Sequence, residues 1–295
     1  INPLSVLLTR PRLAPVTLAG IEARLGEIAR AGARPAPDPL DGDLLAFYHP
    51  ETLARIKGLR QWFAGRPADD TDDWIRMVAL NRLTGHSPGF FSVYTMPPNQ
   101  AVSAAAQRRI NARRNQTPPV RDVLAIIARK SRSLLAGGVP PTAHRPDLRC
   151  SPAEHTPHIA DASVDLVVTS PPFLDIVNYA DDNWLRCWFA GIDPASVPIA
   201  MHRTVDAWTA FVREVFRELA RIVRPGGYVA FEVGEVRNAR VLLERAVRDA
   251  LTGGPFDIEG VVVNLQNFTK TSNCWGVSNN EHGVNTNRIV LARRH

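Results

Sequence analysis

Two hydrophobic rhythms divide the chain. From about Thr17 to Thr142 apolar residues recur at helical spacing. Leu18, Ile21, Leu25 and Ile28 mark one helix, and Leu53, Ile56, Leu59 and Phe63 a second. Trp74, Met77 and Leu80 mark a third, and Val123, Ile126, Ile127 and Leu134 a fourth. Every third or fourth position on one face is the signature of amphipathic helices. From about Ala143 strand-like runs alternate with helical ones. "DLRC" (147–150) reads as a short strand. Val164–Thr169 is a mostly apolar run of strand length, as expected where both faces are covered. Helices are predicted over 181–190, 206–223 and 238–251, with "RPGG" (224–227) stopping the second. "YVAFEV" (228–233), "IEGVVVNLQ" and "TNRIVLARR" complete the strands. The first residues, "INPLSVLLTR", read as a strand end, an Asn-Pro turn and a short helix. The pattern begins mid-motif, so something is expected to precede Ile1.

Alternating strands and helices predict an α/β fold with a mostly parallel sheet. The two closing strands lack a long helix between them, so the last is expected to run antiparallel. Residues 1–16 and 143–295 would form this part, and 17–142 a helical insertion. Ligands of such sheets sit at the carboxyl ends of the strands, where Ser170 and Gly234 fall.

Ser170-Pro171-Pro172-Phe173 carries the sharpest chemistry. Proline fixes φ, removes a backbone donor and keeps the preceding residue extended. A serine oxygen and a proline carbonyl could then form a rigid pair of acceptors, matched to the two N–H groups of an exocyclic amine. Phe173 offers a flat face for a base. The other reading is a rigid turn, since Pro-Pro also occurs at 97–98, 118–119 and 140–141.

"VDLVVTSPPF" resembles the catalytic motif of the S-adenosylmethionine-dependent amino-group DNA methyltransferases, the cytosine-N4 and adenine-N6 enzymes. "INPLSVLLTR" is similar to their cofactor segment, "FRELARIVRPGGYVAFEVGEVRN" to the helix, turn and fifth strand, and "FTKTSNCWGVSNN…NTNRIVLARR" to the C-terminal hairpin. The resemblance covers residues 1–12 and about 147–295 and implies a Rossmann-like methyltransferase sheet. It also implies S-adenosyl-L-methionine as cofactor, with Asn2 and Pro3 against its adenosine and Ser170 nearby. Ser170 and the Pro171 carbonyl would hold the amine of a flipped base, Pro172 would stiffen the loop and Phe173 would stack on the ring. Serine at the first motif position favours cytosine N4; adenine N6, an RNA amine or an inactive DNA-binding relative are the alternatives. Two departures stand out. The usual tyrosine is Phe173, and the glycine-rich first motif is not among these residues.

Charge adds a partner class. The formal net charge is +6 over 295 residues, and arginine greatly outnumbers lysine. Arg108, Arg109, Arg113 and Arg114 lie on one broad helical side, with no acidic residue from Asn99 to Val120. A phosphate-tracking surface for double-stranded DNA is expected there; a solvated face is the alternative. Tyr179 is a second stacking or wedge candidate. "GFFSVYTMPPNQ" (89–100) would insert near a base or pack as core, and the amide-rich 270–287 would read base edges or simply turn. A homodimer and a cognate restriction endonuclease are further candidate partners. His155 and His158 read as surface residues, so no metal is expected. Three scattered cysteines, no membrane-length apolar run and no signal peptide point to a cytoplasmic protein. There is no Pro-Cys nucleophile, zinc-deaminase motif or Walker loop.

Overall fold

The computed structural model describes residues 2–13, 16–32, 37–64, 67–95, 101–138, 146–174, 179–236, 240–265 and 286–295. The chain divides into two compact units, Asn2–Cys150 with Tyr179–Val197, and Ser151–Asn178 with Pro198–His295.

The first unit is helical: α1 (Pro3–Leu13), α2 (Leu18–Ala31), α3 (Asp41–Leu44), α4 (Pro50–Ala64), α5 (Asp70–Leu80), α6 (Ala104–Arg114), α7 (Val123–Leu135) and α8 (Tyr179–Ala190). Several starts are written in the sequence. Thr17, Asp69, Ser103 and Asp122 each accept a hydrogen bond from a first-turn amide, satisfying a donor the helix cannot. The apolar stripes then meet, with Ile21, Ile56, Ile75, Val123 and Ile127 fully buried. Trp74 donates to Ser131 Oγ at 3.0 Å, tying α5 to α7 without leaving a buried polar atom unpaired.

Helices α1 and α8, which the sequence groups with the strands, pack among these helices. Helix α8 contacts α1, α4 and α5, its Cys187 and Phe189 are buried, and Arg76 donates to its last carbonyl, Ala190 O, at 2.6 Å. A positive group at a helix C-terminus complements the helix dipole.

The second unit is α/β: β1 (Val164–Thr169), α9 (Val205–Ile222), β2 (Val223–Val233), β3 (Glu235–Val236), β4 (Val241–Leu242), α10 (Leu243–Leu251), β5 (Phe256–Leu265) and β6 (Thr286–Arg294). The main sheet runs β1-β2-β6-β5. Strands β1, β2 and β5 point one way, and β6, inserted between β2 and β5, runs against them. The reversed last strand is what the missing crossover helix predicts.

One face of this sheet carries the core. Val229, Phe231, Val233, Val290 and Ala292 pack with Trp208, Val212, Val215, Phe216 and Leu219 of α9 and Leu243, Val247 and Leu251 of α10. Phe216 anchors the layer, 5.1 Å from Phe231 and 5.4 Å from Phe256 between ring centroids. Each buried Val, Leu or Phe of this layer contributes about 1.5–3 kcal/mol.

The opposite face is largely bare, which corrects the expectation of a strand covered on both sides. Leu166 is 56% exposed and Val168 74%. Their same-face neighbours across the ladder are Tyr228, Ala230, Leu291, Ile289 and Val262. Residues 147–150, expected as a strand, form none, and most of them are exposed. The helix stop at "RPGG" falls where expected, but the four residues lie inside β2 and not before it. Helix α9 ends at Ile222, and 224–227 loop out within β2, between the Val164–Val223 and Leu166–Tyr228 pairs. Gly226 adopts φ +79° there, which L side chains resist. At Gly227 a Cβ would lie 3.0 Å from the Asp165 carbonyl oxygen.

No helix among the described residues is long and apolar enough to cross a membrane.

Candidate functional site

Ser170-Pro171-Pro172-Phe173 leaves the carboxyl end of β1, where Thr169 is paired with Phe231 of β2. Three residues of the loop are held from different sides. Trp208, in the first turn of α9 and 1% exposed, donates its indole N–H to the Pro172 carbonyl at 2.9 Å. The Phe173 ring lies against Gly234, just beyond β2; a Cβ there would come within 2.9 Å of Phe173 Cε2. Leu174 is fully buried in the sheet–helix core. Ser170, by contrast, is exposed, while Pro171, Pro172 and Phe173 are all half-buried. The anchored residues set the shape, and before them in the chain come the exposed Ser170 hydroxyl and the Pro171 carbonyl, in a stretch where neither proline has an N–H. Such a pair can accept two hydrogen bonds from one amino group.

Asn2, Pro3 and Tyr179 lie in the helical unit. Asn2 opens α1, accepting from Leu4 N through Oδ1 at 3.0 Å and from Ser5 N through its carbonyl at 3.1 Å. The Tyr179 hydroxyl donates to the same Oδ1 at 2.7 Å, and the Cys187 thiol donates to that hydroxyl at 3.8 Å. Burial, with Cys187 beside it, pushes the phenol pKa above its usual value. Tyr179 is 6% exposed, so its ring is core and is not presented to a base. The contact brings together two sequence-predicted residues, but with α1 and α8 as the linked elements.

The four arginines of α6 split into tethered and open pairs. Arg108 donates to Asp43 Oδ1 at 2.8 Å and to Gly42 O at 2.9 Å. The Arg114 guanidinium sits 3.8 Å over the Tyr94 ring, a cation–π contact. Arg109 and Arg113 are exposed and form no ion pair among the described residues. The inner face of α6 is fixed by an amide network. Gln107 and Gln116 both donate to Tyr94 O and Asn111 Oδ1, and Asn111 donates to Ala46 O at 2.7 Å.

Phe90, Phe91 and Val93 of "GFFSVYTMPPNQ" are buried, as in the core reading; residues 96–100 lie outside the described residues. So do Asp175 and Asn178 after the loop, and all but 286–287 of the amide-rich 270–287. Among the described residues no group of three His, Cys, Asp or Glu side chains is placed to hold a metal ion. A cavity of about 330 Å³ in the helical unit is lined by Lys57, Arg60, Arg76, Phe63 and Phe189. Lys57 is paired with Asp41 and Arg60 with Asp38.

Sequence reasoning missed the roles of Trp208 and the Gln107–Asn111–Gln116 network. Trp208 lies on the apolar stripe of α9, where a tryptophan reads simply as core.

No family model and no curated protein matches the chain. Solved structures do. A protein assigned as a DNA modification methylase from Thermus thermophilus, complexed with S-adenosyl-L-methionine, is 20% identical over 46% of this chain and 49% of that one, with a TM-score of 0.26. The chain thus spans about half that protein's length. An S-adenosylmethionine-dependent methyltransferase from Methanosarcina mazei is 13% identical over 57% and 76%, with a TM-score of 0.29. Geranyl diphosphate C-methyltransferase from Streptomyces coelicolor A3(2) is 11% identical over 95% and 100%, with a TM-score of 0.30. Likeness at this level says nothing of substrate.

Proposed function

We propose that the chain belongs to an S-adenosylmethionine-dependent methyltransferase that modifies the exocyclic amine of a base in double-stranded DNA, with cytosine N4 favoured. The observation that carries this reading is the loop at the end of β1. Ser170 and Pro171 offer two oxygen acceptors, while Pro172, Phe173 and Leu174 are anchored. The reversed last strand supports it, being implied by the same resemblance.

The target base leaves the duplex at a cost of a few kcal/mol of unstacking. Ser170 Oγ and the Pro171 carbonyl each accept an N–H of the amine. This turns the nitrogen lone pair out of conjugation with the ring. Phe173 packs against the base, and the two oxygens stabilise the positive charge that develops on nitrogen. S-adenosyl-L-methionine, when bound, supplies an electrophilic methyl group. The residues present fit such a molecule in part. Asn2 and Pro3 are its proposed contacts, but Asn2 Oδ1 is already shared by Tyr179 and Leu4, and the 295 residues contain no Gly-x-Gly turn. Arg109 and Arg113 supply charge for the phosphate backbone, and Arg108 and Arg114 lie beside them on α6.

Nucleosides from DNA incubated with the protein and S-adenosylmethionine, resolved by mass spectrometry, test the reading. N4-methylcytosine is expected. N6-methyladenine would move the target base, and label found only in RNA would overturn the DNA assignment. In Ser170→Ala methyl transfer should fall at least ~10²-fold, with DNA binding nearly unchanged by mobility shift. Normal turnover in that variant would remove Ser170 from the mechanism.

A further inference from the structure

Two proline carbonyls follow Ser170, and an amine needs one of them. Pro171 and Pro172 are chemically alike, so geometry has to choose. The Pro172 carbonyl is already engaged by the Trp208 indole N–H at 2.9 Å. Among the described residues neither Ser170 Oγ nor the Pro171 carbonyl has a hydrogen-bond partner. The donor is itself immobile. Trp208 is 1% exposed, and its backbone amide is bonded to Thr204 O at 3.1 Å, within the capped first turn of α9. The next residue is fixed from the other side, because Phe173 fills the space that a side chain at Gly234 would need.

We propose that Trp208 is a positioning residue for amine methylation: by engaging the Pro172 carbonyl it removes that oxygen from the cleft and orients the Pro171 carbonyl beside Ser170 Oγ. This rests on the reading of Ser170–Phe173 as the amine-binding loop. A buried indole N–H needs an acceptor wherever it lies. Here the acceptor is the one carbonyl that would compete with Pro171 for the substrate. The loop is thus shaped by α9 before any base arrives. It does not depend on the substrate to order it, and the binding energy is left for the reaction.

The test separates the N–H from the bulk of the ring. In one variant β-(3-benzothienyl)alanine replaces Trp208, putting sulfur where the N–H was at nearly the same volume. Trp208→Phe is the second. Methyl transfer to duplex DNA is measured as kcat and KM, and amide hydrogen exchange is followed at Phe173 and Leu174. The expected result in both variants is a kcat lower by on the order of 10²-fold, with KM for DNA little changed. Exchange should quicken at Phe173 and Leu174 and stay slow in β2 and the body of α9. Retention of kcat by the benzothienyl variant would overturn the proposal. So would loss of kcat with exchange quickened equally throughout β2 and α9, which would make Trp208 a packing residue only. A wild-type chain that methylates no amine marks failure of the functional reading itself, a result distinct from either.

Discussion

Glu218, on the partly wet side of α9, gathers several bonds at once. It accepts from Thr156 N at 2.7 Å, from Thr156 Oγ1 at 2.6 Å and from an Arg221 guanidinium nitrogen at 2.6 Å. Arg221 in turn donates to Thr156 O, Ile159 O and Asp161. Two side chains one helical turn apart therefore pin 156–161, the segment that leads into β1. The Arg221 guanidinium, with the Thr156 donors, holds the Glu218 carboxyl down at about 2. The sign follows from linkage. A carboxylate with a lowered pKa stabilises the fold fully above its unfolded value, about 4.3, and loses that contribution as pH falls toward 2. Glu218→Gln should cost about 1–2 kcal/mol at pH 7. In urea melts the gap to wild type should close between about pH 4.5 and about pH 2; a gap constant across that range would contradict the assignment.

At the scale of elements, a single sheet has two unlike faces. Phe231 is 1% exposed beneath α9, while Val168, diagonal to it on β1, is 74% exposed. Phe231→Ala should cost about 3–5 kcal/mol, and Val168→Thr less than about 0.5 kcal/mol, both by denaturant unfolding. The sequence could not tell these faces apart. "VDLVVT" and "YVAFEV" both read as buried runs, because periodicity reports apolar content and not which elements arrive to cover it. Helices were more legible. The apolar residues that mark α2, α4, α5 and α7 in the sequence all fall inside the observed helices. Helices α2, α5 and α7 begin at a visible Thr or Asp cap, and α4 begins at Pro50. Helix α3 has only four residues, too few to show a period. The packing of α1 and α8 with the helical unit was hidden for another reason: it depends on which stripes fit together. Within the candidate site, the acceptor pair Ser170–Pro171 could be proposed from the sequence alone. The anchors were not, since the Trp208 N–H and the space at Gly234 depend on contacts between residues far apart along the chain.

For the whole molecule, the formal net charge of +6 bears on association with polyanions. Only arginines without a local carboxylate can exchange counterions for phosphates at little cost, and Arg109 and Arg113 are the open pair on α6. If the protein binds DNA as proposed, replacing either with Ala should weaken binding to every duplex about equally and lower the slope of log K against log salt by about 1. The same change at Arg108, paired with Asp43, should lower it less. A titration across salt concentrations on two unrelated duplexes measures both. The bare side of the sheet has its own consequence, for colloidal behaviour. Like charge keeps copies of the protein apart, but the range of that repulsion shrinks from about 10 Å at 0.1 M salt to about 3 Å at 1 M. On the function proposed above, strong brine would strip the protein from DNA and would also let the greasy sides around Leu166, Val168 and Val262 meet. A bound polyanion would then double as a solubiliser, keeping the molecule in solution through its own charge.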